Sequence, residues 1–211
     1  MTIQELSALV GFAFAMSASP GPSNLILLSS GLTFGFRRSL PIALGVCLGV
    51  VCLLAVVGAG LGSVMQANAT AYAVFRLICV AYVLYLAWQV ARSAPPRADA
   101  GTPGAERPGR PMRFFEAALL QWVNPKAWTA AIVVAGAYFP PGSPLRFLIP
   151  RVLLFGLVNF PSVTVWALFG MFFRKILSNA VMVKRINVAM AILLVATMVP
   201  VALDIFAPAD K

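Results

Sequence analysis

Six apolar stretches divide this chain, at about residues 8 to 28, 40 to 62, 71 to 91, 114 to 139, 147 to 173 and 186 to 205. Each supplies the roughly 20 helical residues that cross a ~30 Å hydrocarbon core. No other feature constrains the fold so tightly. Backbone amides and carbonyls in lipid must bond within their own element, which leaves only helices and closed barrels. A barrel requires ten-residue segments of alternating polarity, and none are visible. The sequence therefore reads as an all-α integral membrane protein with six transmembrane helices. A composition 61% hydrophobic and only 10% charged agrees with this, against about a quarter charged in soluble domains. The first stretch runs into "FAFAMSASPGP", whose small residues resemble a signal-peptidase site. It is preceded by Glu5 and by no Lys or Arg, whereas a secretory signal opens with positive charge, so it is read as a mature helix.

The formal charge of +10 would suggest nucleic acid in a soluble chain; here the placement of the charges is the more informative property. Arg37 and Arg38 lie in the first connection, Arg92, Arg97, Arg107, Arg110 and Arg113 in the third, and Arg174, Lys175, Lys184 and Arg185 in the fifth. The opposite side has only Arg146, Arg151 and Lys211. The positive-inside rule then expects both termini outside the cytoplasm, in a protein partnered by the bilayer and not by nucleic acid. The chain has no His, and Glu5, Asp99, Glu106, Glu116, Asp204 and Asp210 all fall away from span centres. That excludes a carboxylate or imidazole metal cage at the midplane, and no cofactor is expected. Cys47, Cys52 and Cys79 lie inside spans, where packing is their expected role. No Gly-rich phosphate loop of the Lys-Ser/Thr type is present, so transport by this chain would draw on a gradient.

Between Ser93 and Pro111 the sequence becomes "SAPPRADAGTPGAERPGRP", too poor in apolar surface to order itself. It reads as a cytoplasmic linker (93–113) between two three-helix units, 1–92 and 114–211. An odd number of spans per unit makes any internal resemblance an inverted repeat, 3+3. "SPGPSN" at Ser19 to Asn24 and "VNPKAW" at Val123 to Trp128 break the first and fourth helices at corresponding places. Asn followed by Pro is a helix start, because Asn caps free amides and Pro fits the first helical position. A helix is expected to restart at Pro125 and to be too short to cross alone, so that residues before Asn124 also enter the bilayer. The alternative is that 114–123 lies flat on the surface with Lys126 snorkelling. Irregular backbone at membrane depth faces protein or a watery cavity. Both breaks are therefore expected to point inward, with helix amino-termini and Lys126 favouring an anionic group such as a carboxylate.

These stretches carry a family likeness. "SPGPSNLILLSSGLTFGFRRSLPIALGVCLG" (Ser19 to Gly49) and "FFEAALLQWVNPKAW" (Phe114 to Trp128) resemble the LysE/RhtB family of bacterial amino-acid exporters across essentially the whole chain. Within it, "FGFRRS", "ALLQWVN" and the short Pro-rich linker are most similar to the subgroup exporting cysteine and O-acetylserine. The resemblance implies that Pro20, Gly21, Pro22 and Asn24 belong to one family motif and Asn124, Pro125 and Lys126 to a second. Ser23 stands where many members have an amide or acidic residue.

Asn159, near the middle of the fifth span, is a candidate substrate ligand or an interhelical hydrogen bond. Gln121 reads as a helix-to-helix bond in preference to a substrate ligand, and Arg76 and Arg151 as snorkelling cations. Tyr72, Trp88 and Trp166 read as interfacial anchors. Glu116, if it approached Lys126, would be a proton carrier alongside it. Gly31 with Gly35, Gly45 with Gly49 and Gly58 with Gly62 permit close helix approach within the chain, or a homodimer.

The expected function is secondary transport: export of small neutral amino acids (cysteine, O-acetylserine, homoserine, threonine or leucine-like) by alternating access. The carboxylate would meet both helix amino-termini and Lys126. The ammonium would rest on free carbonyls of the broken backbone and on Asn24 or Asn159. The lack of a deep acidic residue disfavours dications. The alternatives are a membrane-embedded enzyme, for which no catalytic group is convincing, and an assembly protein without transport activity.

Overall fold

A computed structural model describes residues 2–61, 67, 69–92, 110–138, 145–176 and 180–206. Linker residues 93–109, the turn at Pro140, Gly62 and the side chains of Tyr72 and Arg76 lie outside what is described. The described residues form eight α-helices and no strand: α1 (Ile3–Ala18), α2 (Pro22–Phe34), α3 (Phe36–Val56), α4 (Ala69–Arg92), α5 (Phe114–Trp122), α6 (Pro125–Tyr138), α7 (Leu145–Ile176) and α8 (Ala180–Phe206). A short π-helical turn, Val57–Leu61, extends α3. Four segments are individually long and apolar enough to cross a membrane: Phe36–Leu61, Ala73–Arg92, Arg146–Phe173 and Val181–Val199.

The first and fourth apolar stretches are each cut in two, at the places where the prolines stand. The first is also longer than the sequence suggests, running from Ile3 to Phe34 in two pieces and not from 8 to 28. α1 opens with a capping box, in which Thr2 Oγ1 accepts from the Glu5 amide and the Glu5 carboxylate accepts from the Thr2 amide. Pro22 and Pro125 occupy the first positions of α2 and α6, where a missing N–H has no helical acceptor to lose. Gly35 alone joins α2 to α3, at φ 85°, a left-handed turn that a side chain would strain.

Glycines set how closely the helices pack. A side-chain carbon added at Gly31 would run into the Ala167 backbone, and one at Gly170 into the Leu28 backbone. The register therefore runs in opposite senses, and α2 and α7 are antiparallel. One added at Gly45 would meet the Phe114 carbonyl and one at Gly49 the Ala118 carbonyl. Both helices advance together, so α5 runs parallel to α3, with Ala117, Leu120 and Gln121 buried. A segment lying flat on the surface would not keep that register. In lipid the tails are as apolar as the side chains, so such close approach, and not water exclusion, holds helices together. These glycine contacts lie within the chain.

α2 is buried nearly all round, from Pro22 to Thr33, as the central helix of a bundle must be. Two apolar clusters pack along the bundle. One gathers Leu25, Val46, Leu120 and Val163, and the other Leu9, Val50, Ala127 and Phe155. On α3 the seam between them falls between Val46 and Val50, and on α7 between Phe155 and Val163. Both places are at the middle of the two longest apolar segments, Phe36–Leu61 and Arg146–Phe173.

Candidate functional site

Seven polar side chains converge on that seam. A cavity lies there, of about 40 Å³ counted as the space open to the centre of a water molecule. Its polar lining comes from Ser17, Ser23, Asn24, Gln121, Asn124, Lys126 and Asn159, with Gly21 at the rim of the first break. Phe155, Val46, Val50 and Val163 supply part of the apolar wall.

The first break leaves the last carbonyls of α1 without helical donors, and the structure accounts for each. Ala15 O accepts from the Ser19 amide at 3.1 Å, and Met16 O from the Ser19 hydroxyl at 3.2 Å. Ser17 O accepts from Asn24 Nδ2 at 2.7 Å, and Ala18 O from Trp166 Nε1 at 3.2 Å. Ser19 O takes both Asn24 Nδ2 at 2.7 Å and Lys126 Nζ at 2.5 Å, and Pro20 O lies 3.4 Å from Lys126 Nζ. Lys126 thus reaches from the start of α6 to the end of α1, where the aligned carbonyls carry partial negative charge. An added side-chain carbon at Gly21 would stand 2.7 Å from Lys126 Cδ; glycine leaves the lysine room to pass.

The second break is closed by its own side chains. Asn124 Oδ1 accepts the Lys126 amide at 3.2 Å, and Trp128 Nε1 donates to Trp122 O at 2.8 Å. Across the seam, Ser23 Oγ accepts from Gln121 Nε2 at 3.0 Å and from Asn124 Nδ2 at 3.1 Å, and it donates to Gln121 Oε1 at 3.1 Å. α2, by contrast, begins at Gly21 with no side-chain cap. The amides of its first turn have no helical acceptor.

Several expectations change. Gly21, Asn24, Asn124, Lys126 and Asn159 line the cavity, whereas Pro20, Pro22 and Pro125 shape the breaks without lining it. The backbone carbonyls of the first break already accept from Asn24, Lys126 and Trp166, so a substrate ammonium would share them with donors of the protein. Of the two helix amino-termini, α6 is capped by Asn124 and only α2 lacks a cap. Trp166, expected as an interfacial anchor, donates its indole N–H to the end of α1. Glu116 is paired with Arg110 and not Lys126, at 3.0 Å from Nη1, and it accepts the Arg113 amide at 2.8 Å. It belongs to a separate cavity of about 410 Å³ against α4, lined by Tyr82, Tyr85, Trp88, Arg92 and Arg110.

Sequence reasoning passed over Ser17, Ser23 and Phe155 as site residues, and it read Gln121 as a helix-to-helix bond in preference to a ligand. It is that, and it also lines the cavity. Helical spacing gave a usable signal for two of them: Ser17 lies two residues before the break, and Gln121 one turn before Asn124. Among the described residues no cluster of His, Cys, Asp or Glu is suited to a metal ion.

Comparison with known proteins adds an independent line. The LysE type translocator family matches residues 14–205. The chain is similar to the cysteine/O-acetylserine efflux protein of Klebsiella pneumoniae subsp. pneumoniae, 31% identical over 178 residues, covering 83% of this chain and 87% of that protein. It is also similar to the proteins of that name from Salmonella typhimurium, at 28%, and Escherichia coli K12, at 26%. Each of these matches spans 196 residues, 92% of this chain and 96% of the relative. No solved structure matches. A family match over nearly all of its length, on a bundle of apolar helices, makes this a multi-pass membrane protein and a translocator rather than an enzyme: the chain belongs to the LysE type translocator family.

Proposed function

We propose that this protein exports small neutral amino acids, of the size of cysteine and O-acetylserine, from the cytoplasm across the bacterial inner membrane by alternating access. The observation that carries the reading is the convergence of two proline breaks, at Ser19–Gly21 and Val123–Asn124, on one polar cavity midway along the two longest apolar segments. Paired interruptions of this kind mark substrate sites in transporters. The efflux relatives' printed names supply the substrate class. The small volume and the absence of any carboxylate from the lining favour a small zwitterion over a dication.

The pairing of helices supports a 3+3 inverted repeat, with 1–92 and 114–211 as its units and 93–113 between them. α1 packs on α7 as α5 packs on α3, α2 packs on α7 as α6 packs on α3, and α4 packs on α8. Exchanging the two units maps these pairings onto one another, whereas the packing of α2 on α3 and on α8 has no counterpart of like extent. In this reading α1 with α2 and α5 with α6 form the two further spans, and the charge distribution leaves both termini outside. The larger cavity beside Arg110 and Glu116 is the cytoplasmic approach. Lys126, inside the central cavity, is the group through which an ion gradient acts.

The test is counterflow into proteoliposomes holding the purified protein. Labelled cysteine and O-acetylserine are expected to accumulate against an unlabelled pool, and lysine is not. Failure of every neutral amino acid to exchange, or equal exchange of lysine, overturns the proposal.

A further inference from the structure

If the cavity takes an amino acid, one buried atom decides which way round it sits. Asn159 lies midway along Arg146–Phe173 and is 4% exposed. Its Nδ2 donates to Ser17 Oγ at 2.8 Å. Its Oδ1 is buried with no hydrogen-bond partner, although the residue lines the cavity. Leaving such an acceptor unsatisfied costs about 1–3 kcal/mol, so an acceptor without a protein partner at a cavity wall calls for a donor from water or from a ligand that displaces it.

The surrounding groups narrow the choice of donor. No carboxylate lines the cavity. The carbonyls of the first break already accept from Asn24, Lys126 and Trp166. Gln121 Oε1 accepts from Ser23, and Asn124 Oδ1 from the Lys126 amide. Two side-chain carbonyls of the lining have no donor, those of Asn24 and Asn159; that of Asn159 is the one buried from water, where pairing with an ammonium gains most. The opposite need, donors for a carboxylate, is met at the uncapped first turn of α2 after Gly21, beside Lys126. The two ends are tied by one chain of bonds, from Asn159 to Ser17, from Ser17 O to Asn24, from Asn24 to Ser19 O, and from Ser19 O to Lys126.

We propose that the cavity holds an α-amino acid in a single orientation, its ammonium donating to the Asn159 side-chain carbonyl and its carboxylate on the first turn of α2 beside Lys126. The inference rests on the export reading and adds to it: Asn159 is the residue that requires an amino group on the substrate. A hydrogen bond to a charged group is worth about 1.5–3 kcal/mol, or roughly ten- to a hundredfold in affinity.

The experiment uses inhibition of cysteine counterflow in proteoliposomes, with reduced cysteine, 3-mercaptopropionate (no ammonium) and cysteamine (no carboxylate) as competitors. With wild-type protein, each truncated analogue is expected to compete at least about tenfold more weakly than cysteine. Asn159→Leu is expected to lower affinity for cysteine to near that of 3-mercaptopropionate, whose own affinity stays as it was. Asn159→Asp keeps an acceptor and loses the donor, and is expected to retain the preference for an ammonium. An amide turned the other way would offer Nδ2 to the carboxylate, and the aspartate variant would then lose cysteine and not keep it. Equal inhibition by cysteine and 3-mercaptopropionate in the wild type overturns the orientation without any variant, as does unchanged discrimination in Asn159→Leu. Wild-type protein that exchanges no neutral amino acid overturns the export reading itself and this inference with it.

Discussion

At the scale of single residues, Lys126 was conspicuous in the sequence, but the partner of its charge was not. A cation inside an apolar segment demands compensation, and the expectation was a substrate carboxylate. The structure supplies the carbonyls of Ser19 and Pro20 first, so a carboxylate would share Lys126 with the end of α1. Lys126→Met keeps the length and removes the charge, while Ser19 O still accepts from Asn24. It is expected to lower counterflow at least tenfold with the protein still folded and monodisperse in detergent. Gly21→Ala presses on the flexible Lys126 Cδ and not on backbone, so a several-fold loss of counterflow with little change in melting is expected. Trp128→Phe isolates a different function. It preserves an aromatic ring against Phe75, now 4.8 Å away between centroids, but strips the donor from Trp122 O. A loss of about 1–3 kcal/mol follows if that carbonyl finds no water, read as a lower melting temperature. Asn159 was legible as a polar residue at mid-span; that one of its two polar atoms lacks a partner depends on where Ser17 sits, 142 residues away in sequence.

At the scale of elements, helix ends were more legible than helix neighbours. Proline and asparagine act on their own backbone, so the restart at Pro125 and the cut near Pro20 follow from local chemistry. Which helix packs on which does not, because every apolar helix offers lipid-like surface on most sides. The glycine spacings announced close approach but named no partner: Gly31 meets α7, and Gly45 and Gly49 meet α5. The same contacts make a paired stability test. Gly31→Ala places a carbon against the Ala167 backbone, which cannot step aside, and is expected to cost about 1–3 kcal/mol. Gly136→Ala has nothing within 4 Å of the added carbon and is expected to be neutral or to stabilise α6 by up to about 1 kcal/mol. Thermal melts of the two variants in one detergent compare them directly.

At the scale of the whole molecule, Phe155, 1% exposed, is the one aromatic side chain in the cavity wall. Phe155→Leu removes ring volume while keeping the wall apolar. It is expected to let phenylalanine, larger than O-acetylserine, compete with cysteine in counterflow, where the wild type is expected to exclude it; unchanged selectivity would move the size filter elsewhere. Taken alone, the sequence determined that this chain lives in lipid as helices, because no other arrangement satisfies so many backbone groups without water. It also determined where two of those helices must break. Only the tertiary structure decided that both breaks meet at the seam of two apolar clusters, that α1's carbonyls are closed by Asn24, Lys126 and Trp166, and that Asn159 Oδ1 is left over. The reason is that hydrogen-bond supply and demand at a buried site is a sum over several helices, and no local stretch of chain contains all of its terms.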